Sequence, residues 1–267
     1  MLFMDTQSLF SLAGRTALVT GGSRGIGKMI ATGFIAQGAK VYISSRKADV
    51  CEAVAIELGP NCIAVPQDIS TVDGCTALAA TMAEHESGID ILVNNAGAAW
   101  GESFETFPEA GWDKVMDLNV KSIFFLTQAM HGLLKAGASD EQPAKVINIA
   151  SIDGLRLNPW ETYSYQASKA AVINLTKRLA ARLVKDGILV TGIAPGAFAS
   201  EMNKAARDLG DIVGQHVPAG RIGNDEDMGG RGHLPCVARS NYVVGETIAV
   251  DGRRGTRLPH ESWEVDP

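Results

Sequence analysis

Short apolar runs alternate with longer helix-spaced segments along this chain, and that alternation narrows the fold more than any other feature. The strand-like runs are Arg15–Thr20, Lys40–Ser45, Cys62–Pro66, Asp90–Val93, Lys145–Ala150, Ile188–Ala194 and Thr247–Val250. Between them, Gly25–Ala36, Ala48–Leu58, Val72–Glu86, Pro108–Leu134 and Tyr163–Lys185 read as helices, the fourth with a break near Asp113. Gly38 and the pair Gly59-Pro60 end the first two helices, because neither residue type continues a helix well. Strand, helix, strand with short connections predicts a parallel sheet with helices on both faces, joined by right-handed crossovers. The expected fold class is α/β, a doubly wound parallel sheet in a single domain over residues 1–267, with 1–9 and 253–267 as peripheral tails. A chain of 267 residues, 46% of them hydrophobic, can bury one core of that size. Ligands of such sheets bind beyond the carboxyl ends of the strands.

Composition removes several classes of function. The net charge of -6 argues against nucleic acid and anionic membrane as partners. The stretch Ile123–Met130 is too short to span a bilayer. The opening MLFMDTQSLFSLAG has no basic stretch and carries Asp5, so no secretory signal is expected and a cytoplasmic location is. Cys51, Cys62, Cys75 and Cys236 form no CxxC pair and read as reduced thiols. His233 and Cys236 lack the second pair that a structural metal needs, so no metal is expected.

The first strand-to-helix junction reads Thr20-Gly21-Gly22-Ser23-Arg24-Gly25-Ile26-Gly27. Glycines permit a tight turn and let backbone approach a pyrophosphate, while the following helix offers free N–H groups. The spacing G-x-x-x-G-x-G alone is as compatible with a plain turn and cap. The end of the second strand is more informative. A carboxylate there would bind the ribose 2′-hydroxyl of NAD; this chain has Ser45 followed by Arg46, with Arg24 inside the glycine turn. Two guanidinium groups and no carboxylate suit a 2′-phosphate, so NADP(H) is the expected cofactor.

Tyr165 and Lys169 stand at i and i+4 and so share one face of a helix. A nearby ammonium favours the phenolate and is expected to lower the tyrosine pKa, as general acid–base chemistry near neutral pH requires. Ser151 ends an apolar strand and can hydrogen-bond a substrate carbonyl. Asn119 lies inside a long helix, where Asn is a poor choice; a local opening of the helix that holds a water would explain it.

Together Gly21 to Gly27, Asn94-Asn95-Ala96-Gly97, Asn119, Ser151, Tyr165, Lys169 and Pro195-Gly196 resemble the short-chain dehydrogenase/reductase family, from about Phe10 to Gly252. The resemblance implies a Rossmann-type fold and a catalytic set of Asn119, Ser151, Tyr165 and Lys169. Tyr165 would be the acid/base, Lys169 its partner and a ligand of the nicotinamide ribose, Ser151 the carbonyl-orienting hydroxyl, and Asn119 the holder of a relay water. It implies cofactor contacts from Gly21, Ser23, Arg24, Gly25, Ile26, Gly27, Ser45, Arg46, Asp68, Ile69, Asn95, Ala96, Gly97, Tyr165, Lys169, Ile193, Pro195, Gly196 and Ser200. Within the family, the wording around Gly97–Gly101 and the insert Ala138–Lys145 is similar to the 3-oxoacyl reductase branch that serves rhamnolipid biosynthesis.

The expected activity is therefore NADP(H)-dependent reduction of a 3-oxoacyl or similar lipophilic ketone. The alternatives are an alcohol or sterol dehydrogenase working oxidatively, or a cofactor-binding sensor without turnover. The complete Ser, Tyr and Lys set argues against the sensor. Substrate-lining residues fall in Ala98–Glu102, Ile152–Thr162 and Phe198–Val217. The segments 231–239 and 253–267 depart from the family pattern and look like local reading-frame shifts; Gly229, Gly230, Gly232 and Pro235 make a helix there expensive. Apolar Phe124, Phe125, Leu126 and Met130 on one long helix predict a homo-oligomer, a tetramer or, with the altered carboxyl terminus, a dimer.

Overall fold

A computed structural model describes residues 10–233 and 240–253. The expected amino-terminal tail, Cys236 with its pairing to His233, and most of both off-pattern segments lie outside the described residues. Seven strands form one parallel sheet: β1 (Thr16–Thr20), β2 (Lys40–Ser44), β3 (Cys62–Ala64), β4 (Ile91–Asn94), β5 (Ala144–Ile149), β6 (Ile188–Pro195) and β7 (Thr247–Val250). Their order is β3-β2-β1-β4-β5-β6-β7. The order reverses between β1 and β4, which opens a crevice at their carboxyl ends. The doubly wound fold is as expected.

Alternating strand residues feed two cores. Ala17 and Val19 join Val41, Ile43, Ile91 and Val93 on one face, and Leu18 joins Tyr42, Leu92 and Val146 on the other. The first face is covered by α1 (Gly25–Ala36), α2 (Ala48–Leu58) and α10 (Asp225–His233). The second is covered by α3 (Val72–His85), α5 (Ser122–Ala129), α6 (His131–Gly137) and the long α7 (Tyr163–Leu183). Two short helices, α8 (Lys204–Asp208) and α9 (Gly210–Gln215), follow β6. Among the described residues, no helix is long and apolar enough to cross a membrane. Cys51, Cys62 and Cys75 are buried free thiols, and burial pushes the pKa of each above its usual value.

Two expectations need correction. The segment Pro108–Leu134 does not break near Asp113. It comprises α4 (Glu109–Met116), one π turn (Asp117–Lys121), α5 and α6, so the opening surrounds Asn119 and a second interruption falls at Met130. The stretch from Gly229 that was expected to be costly as a helix is helical as far as His233, and its continuation through Pro235 lies outside the described residues. The helix starts at a reciprocal cap: the Asp227 N–H donates to Asn224 Oδ1 at 2.9 Å, and the Asn224 N–H donates to Asp227 Oδ2 at 3.0 Å. Its glycines allow close packing on α1, since a Cβ on Gly33 would lie 2.8 Å from the Gly229 Cα. Backbone contact offsets the low helix propensity of glycine.

That contact leaves no room for a side chain. Gly33→Val is expected to destabilise the protein by about 1–3 kcal/mol through overpacking, measured by urea unfolding. An unchanged midpoint would show that α10 does not depend on this crossing.

Candidate active site

The glycine turn leaves β1 and enters α1. Gly21 (φ 64°) and Gly25 (φ 50°) occupy the left-handed region, and a Cβ on Gly27 would lie 2.3 Å from the Gly21 carbonyl oxygen. Only glycine fits these positions. Asn95 braces the turn by donating from Nδ2 to the Thr20 carbonyl at 2.8 Å and the Gly21 carbonyl at 3.2 Å. Thr20 Oγ1 accepts the N–H groups of Asn95 at 3.0 Å and Ala96 at 3.1 Å. The Gly21 N–H donates to the Ser44 carbonyl at 2.7 Å, which ties the turn to the end of β2.

This arrangement brings Ser23, Arg24, Ile26, Ser45 and Arg46 to one edge of the crevice. Arg24 and Arg46 are exposed, and neither forms an ion pair among the described residues. The start of α1 has no side-chain cap and no acidic residue in its first turn. Its positive dipole end is thus left uncompensated, which fits an anionic group. The glycines of the turn, the open helix start and the two guanidinium groups without an ion pair among the described residues match a phosphorylated dinucleotide.

Other expected contacts divide. Asp68 is exposed, its carboxylate accepting the Ser70 N–H at 3.0 Å, whereas Ile69 packs into the core. Pro195 and Gly196 end β6, and the Gly196 N–H donates to the Val250 carbonyl at 2.9 Å. Ser200 folds back over the glycine turn; a Cβ on Gly25 would lie 3.2 Å from the Ser200 Cβ. Ile193 is 1% exposed and part of the core, so its side chain supports the site from beneath.

At the other end of the crevice stand the four residues expected to do chemistry. Ser151 follows β5 and caps a 3-10 turn (Ile152–Gly154), its Oγ accepting the Asp153 N–H at 3.1 Å. Lys169 is buried on α7, and its Nζ donates to the Ile149 carbonyl at 2.8 Å. That nitrogen lies 5.6 Å from the centroid of the Tyr165 ring. Asn119 is fully buried in the π turn. Its Oδ1 accepts the Ala98 N–H at 2.8 Å, and its Nδ2 donates to the Ala98 carbonyl and to Ser168 Oγ, both at 2.9 Å. The side chain of Asn119 therefore bridges the loop after β4 to α7. A relay water would have to use its main chain, not its amide.

The electrostatics differ from the sequence expectation. Burial pushes the Tyr165 phenol up to about 12; the Ser151 hydroxyl opposes this, and the Asp153 charge adds to it. Burial pulls Lys169 down to about 8, with Asp153 opposing. Within the protein alone, the ammonium is turned to the Ile149 carbonyl and does not bring the phenol down.

The sequence motif included Asn94 but did not reveal the buried layer that it builds with Asn148, Thr127 and Thr176. Asn94 Nδ2 donates to Asn148 Oδ1 at 2.9 Å and Thr127 Oγ1 at 3.1 Å, and Asn148 Nδ2 donates to Thr176 Oγ1 at 3.0 Å. This buried ladder joins β4, β5, α5 and α7. The available signal was an Asn inside each of two apolar strands. Ser168 and Asp153 were also missed, although one stands beside Lys169 and the other two residues after Ser151.

A family model described as short chain dehydrogenase matches residues 15–209. The rhamnolipids biosynthesis 3-oxoacyl-[acyl-carrier-protein] reductase of Pseudomonas aeruginosa is 44% identical over 248 residues, covering 91% of this chain and 97% of that protein. The gluconate 5-dehydrogenase of Gluconobacter oxydans is 34% identical over 261 residues, covering 93% and 98%. Among solved structures, the Pseudomonas aeruginosa RhlG/NADP active-site complex superposes with a TM-score of 0.90 at 42% identity, covering 93% of this chain and 99% of that one. A Burkholderia cenocepacia gluconate 5-dehydrogenase in complex with NADP and tartrate gives 0.86 at 31% identity, covering 94% and 99%.

Proposed function

The chain belongs to the short chain dehydrogenase family, and on that footing we propose that it is an NADP(H)-dependent carbonyl reductase acting on a 3-oxoacyl or similar lipophilic ketone. One observation carries the reading. Half-buried Tyr165 and the buried Lys169 and Ser151 share a crevice with a glycine turn that carries Arg24 and is flanked by Arg46, neither arginine ion-paired among the described residues. Solved relatives hold NADP, and the relative that is 44% identical is a 3-oxoacyl reductase by name.

The cofactor would be held by the turn Gly21 to Gly27, with Arg24, Ser45 and Arg46 at its 2′-phosphate, and Asp68 and the Asn95–Gly97 segment alongside. When bound, NADPH supplies a hydride to the carbonyl carbon. Ser151 donates a hydrogen bond to the substrate oxygen and stabilises its growing charge. Tyr165 gives that oxygen its proton. A phenol held near 12 is protonated at neutral pH, the state that reduction needs. Lys169 supplies the positive charge that favours the phenolate left behind. Asn119, tied to Ala98 and Ser168, keeps the loop after β4 registered against α7.

A lipophilic substrate is supported by the loops around the site. Large apolar side chains are exposed at Phe104, Leu155, Leu157, Trp160, Met202, Leu209 and Ile212, and an exposed apolar rim is what an apolar partner uses.

A homo-oligomer belongs to the same proposal, on narrower grounds than the sequence suggested. Leu126 and Met130 are fully buried in the protein's own core and half-buried Phe125 packs against it, so Phe124, 39% exposed, is the most available of the four. Phe125 also lines a groove of about 620 Å³ between α3 and α5–α6, with Val72, Ala79, Ala83 and Leu133. A tetramer or dimer of identical chains in the cytoplasm, with no nucleic-acid or membrane partner, completes the proposal.

Tyr165→Phe is expected to lower ketone reduction by roughly 10²–10⁴-fold while leaving NADPH affinity within a small factor of wild type. A mutant with a wild-type rate would remove Tyr165 from the mechanism. NADPH should bind more tightly than NADH, and Arg46→Asp should erase or reverse the preference, because a carboxylate repels the 2′-phosphate; equal wild-type affinities in calorimetry would refute the assignment. Light scattering at micromolar concentration should report a dimer or tetramer, and a clean monomer would sink the proposed assembly.

A further inference from the structure

We propose that Asp153 is a specificity-determining residue, one that admits neutral ketones to the site and repels ketones bearing a carboxylate near the carbonyl. The inference rests on the reductase reading above and names the substrate class more closely.

The position of Asp153 is fixed by the site itself. It lies two residues past Ser151 in the 3-10 turn, with its N–H on Ser151 Oγ at 3.1 Å. The turn is pressed against α7 at the level of Lys169: a Cβ on Gly154 would lie 2.5 Å from the Lys169 carbonyl carbon and 2.6 Å from its oxygen. Asp153 therefore cannot shift along the site without lifting the turn off α7.

The carboxylate is half-buried and has neither a hydrogen bond nor an ion pair among the described residues. The nearby cations do not neutralise it. Lys169 Nζ is spent on the Ile149 carbonyl, and Arg156, three residues further on, forms no ion pair with it. Its charge nevertheless acts on both Tyr165 and Lys169, which puts it within electrostatic range of the atoms that meet the substrate. Beyond this longer-range attraction for the Lys169 ammonium, the carboxylate makes no contact among the described residues that folding uses.

A fixed negative charge in a partly desolvated site disfavours a second one strongly. Glu102 and Glu161 add charge of the same sign on the two loops that leave the site, which are joined by the Glu102 N–H donating to the Glu161 carbonyl at 3.2 Å. The relatives' names span both kinds of substrate: gluconate carries a carboxylate, and a 3-oxoacyl thioester does not. Asp153 places this chain with the neutral class, as do exposed Leu155, Leu157 and Trp160 on the same loop.

The test is steady-state kinetics of the full chain with NADPH on two ketones of equal chain length: a 3-oxoacyl N-acetylcysteamine thioester and the free 3-oxo acid. Wild type should favour the thioester in kcat/KM. Asp153→Asn should shrink that preference about tenfold, chiefly by lowering KM for the acid, and Asp153→Glu should preserve it. An unchanged preference in Asp153→Asn overturns the proposal. So does loss of thioester turnover with NADPH binding retained, which would make the carboxylate a holder of substrate polar groups. If Asp153→Asn does not fold, Asp153→Ser replaces it, and failure of both makes the residue structural and overturns the proposal. A wild type that reduces neither ketone defeats the reductase reading itself, and this inference with it.

Discussion

The ammonium of Lys169 is held out of water, 4% exposed, at the foot of the crevice. An isolated buried charge costs several kcal/mol, so the structure must supply it with partners. The nearest is the Ile149 carbonyl at 2.8 Å. Ile149 is the last residue of β5, in parallel register with Ile193 of β6. The direction of that carbonyl is therefore a property of the sheet. The remaining compensation comes from Asp153, whose position follows from the turn capped by Ser151. Sheet register, capped turn and buried cation thus depend on one another, and Tyr165, one helical turn before Lys169, is oriented by the same helix.

Polar groups beneath the site convert this local arrangement into a rigid one. The ladder Thr127–Asn94–Asn148–Thr176 crosses from α5 through two strands to α7. Asn119 makes a second crossing from the π turn to Ala98 and Ser168. A buried network is stabilising only when its members are satisfied, and each of these amides has partners. The π turn gains its meaning here. One extra residue in the helical path carries Asn119 inward, where its amide closes the gap between a loop and a helix.

Most of the fold was legible in the sequence because it rests on periodicity. Strands β1, β2 and β4 to β7 and helices α1, α2, α3 and α7 fall within a residue or two of expectation. Strand β3 is shorter than read, ending at Ala64 two residues before Pro66, which has no N–H to continue the ladder. The misreadings share a cause. The break assigned near Asp113 lies around Asn119, and the helix judged costly from Gly229 forms as far as His233, because each is decided by a tertiary contact that local propensity does not encode: Asn119 with Ala98 and Ser168, and Gly229 with Gly33. The site was legible in its glycine turn and in Ser151, Tyr165 and Lys169, whose spacing is local. The sequence did not show that the Ile69 and Ile193 side chains turn to the core, which leaves their main chains to face the crevice, nor did it single out Asp153, whose surroundings are set by the fold.

In the proposed reaction this crevice passes a hydride from a nicotinamide cofactor to a ketone while Tyr165 supplies the proton. The most direct measurement uses NADPH deuterated at the transferable position, with a 3-oxoacyl thioester as acceptor and analysis of the product by mass spectrometry and NMR. The account predicts one deuterium on the new hydroxyl-bearing carbon, with NADPH consumed in equal amount. A product whose hydroxyl-bearing carbon lacks deuterium, or intact ketone and NADPH after prolonged incubation, would contradict it.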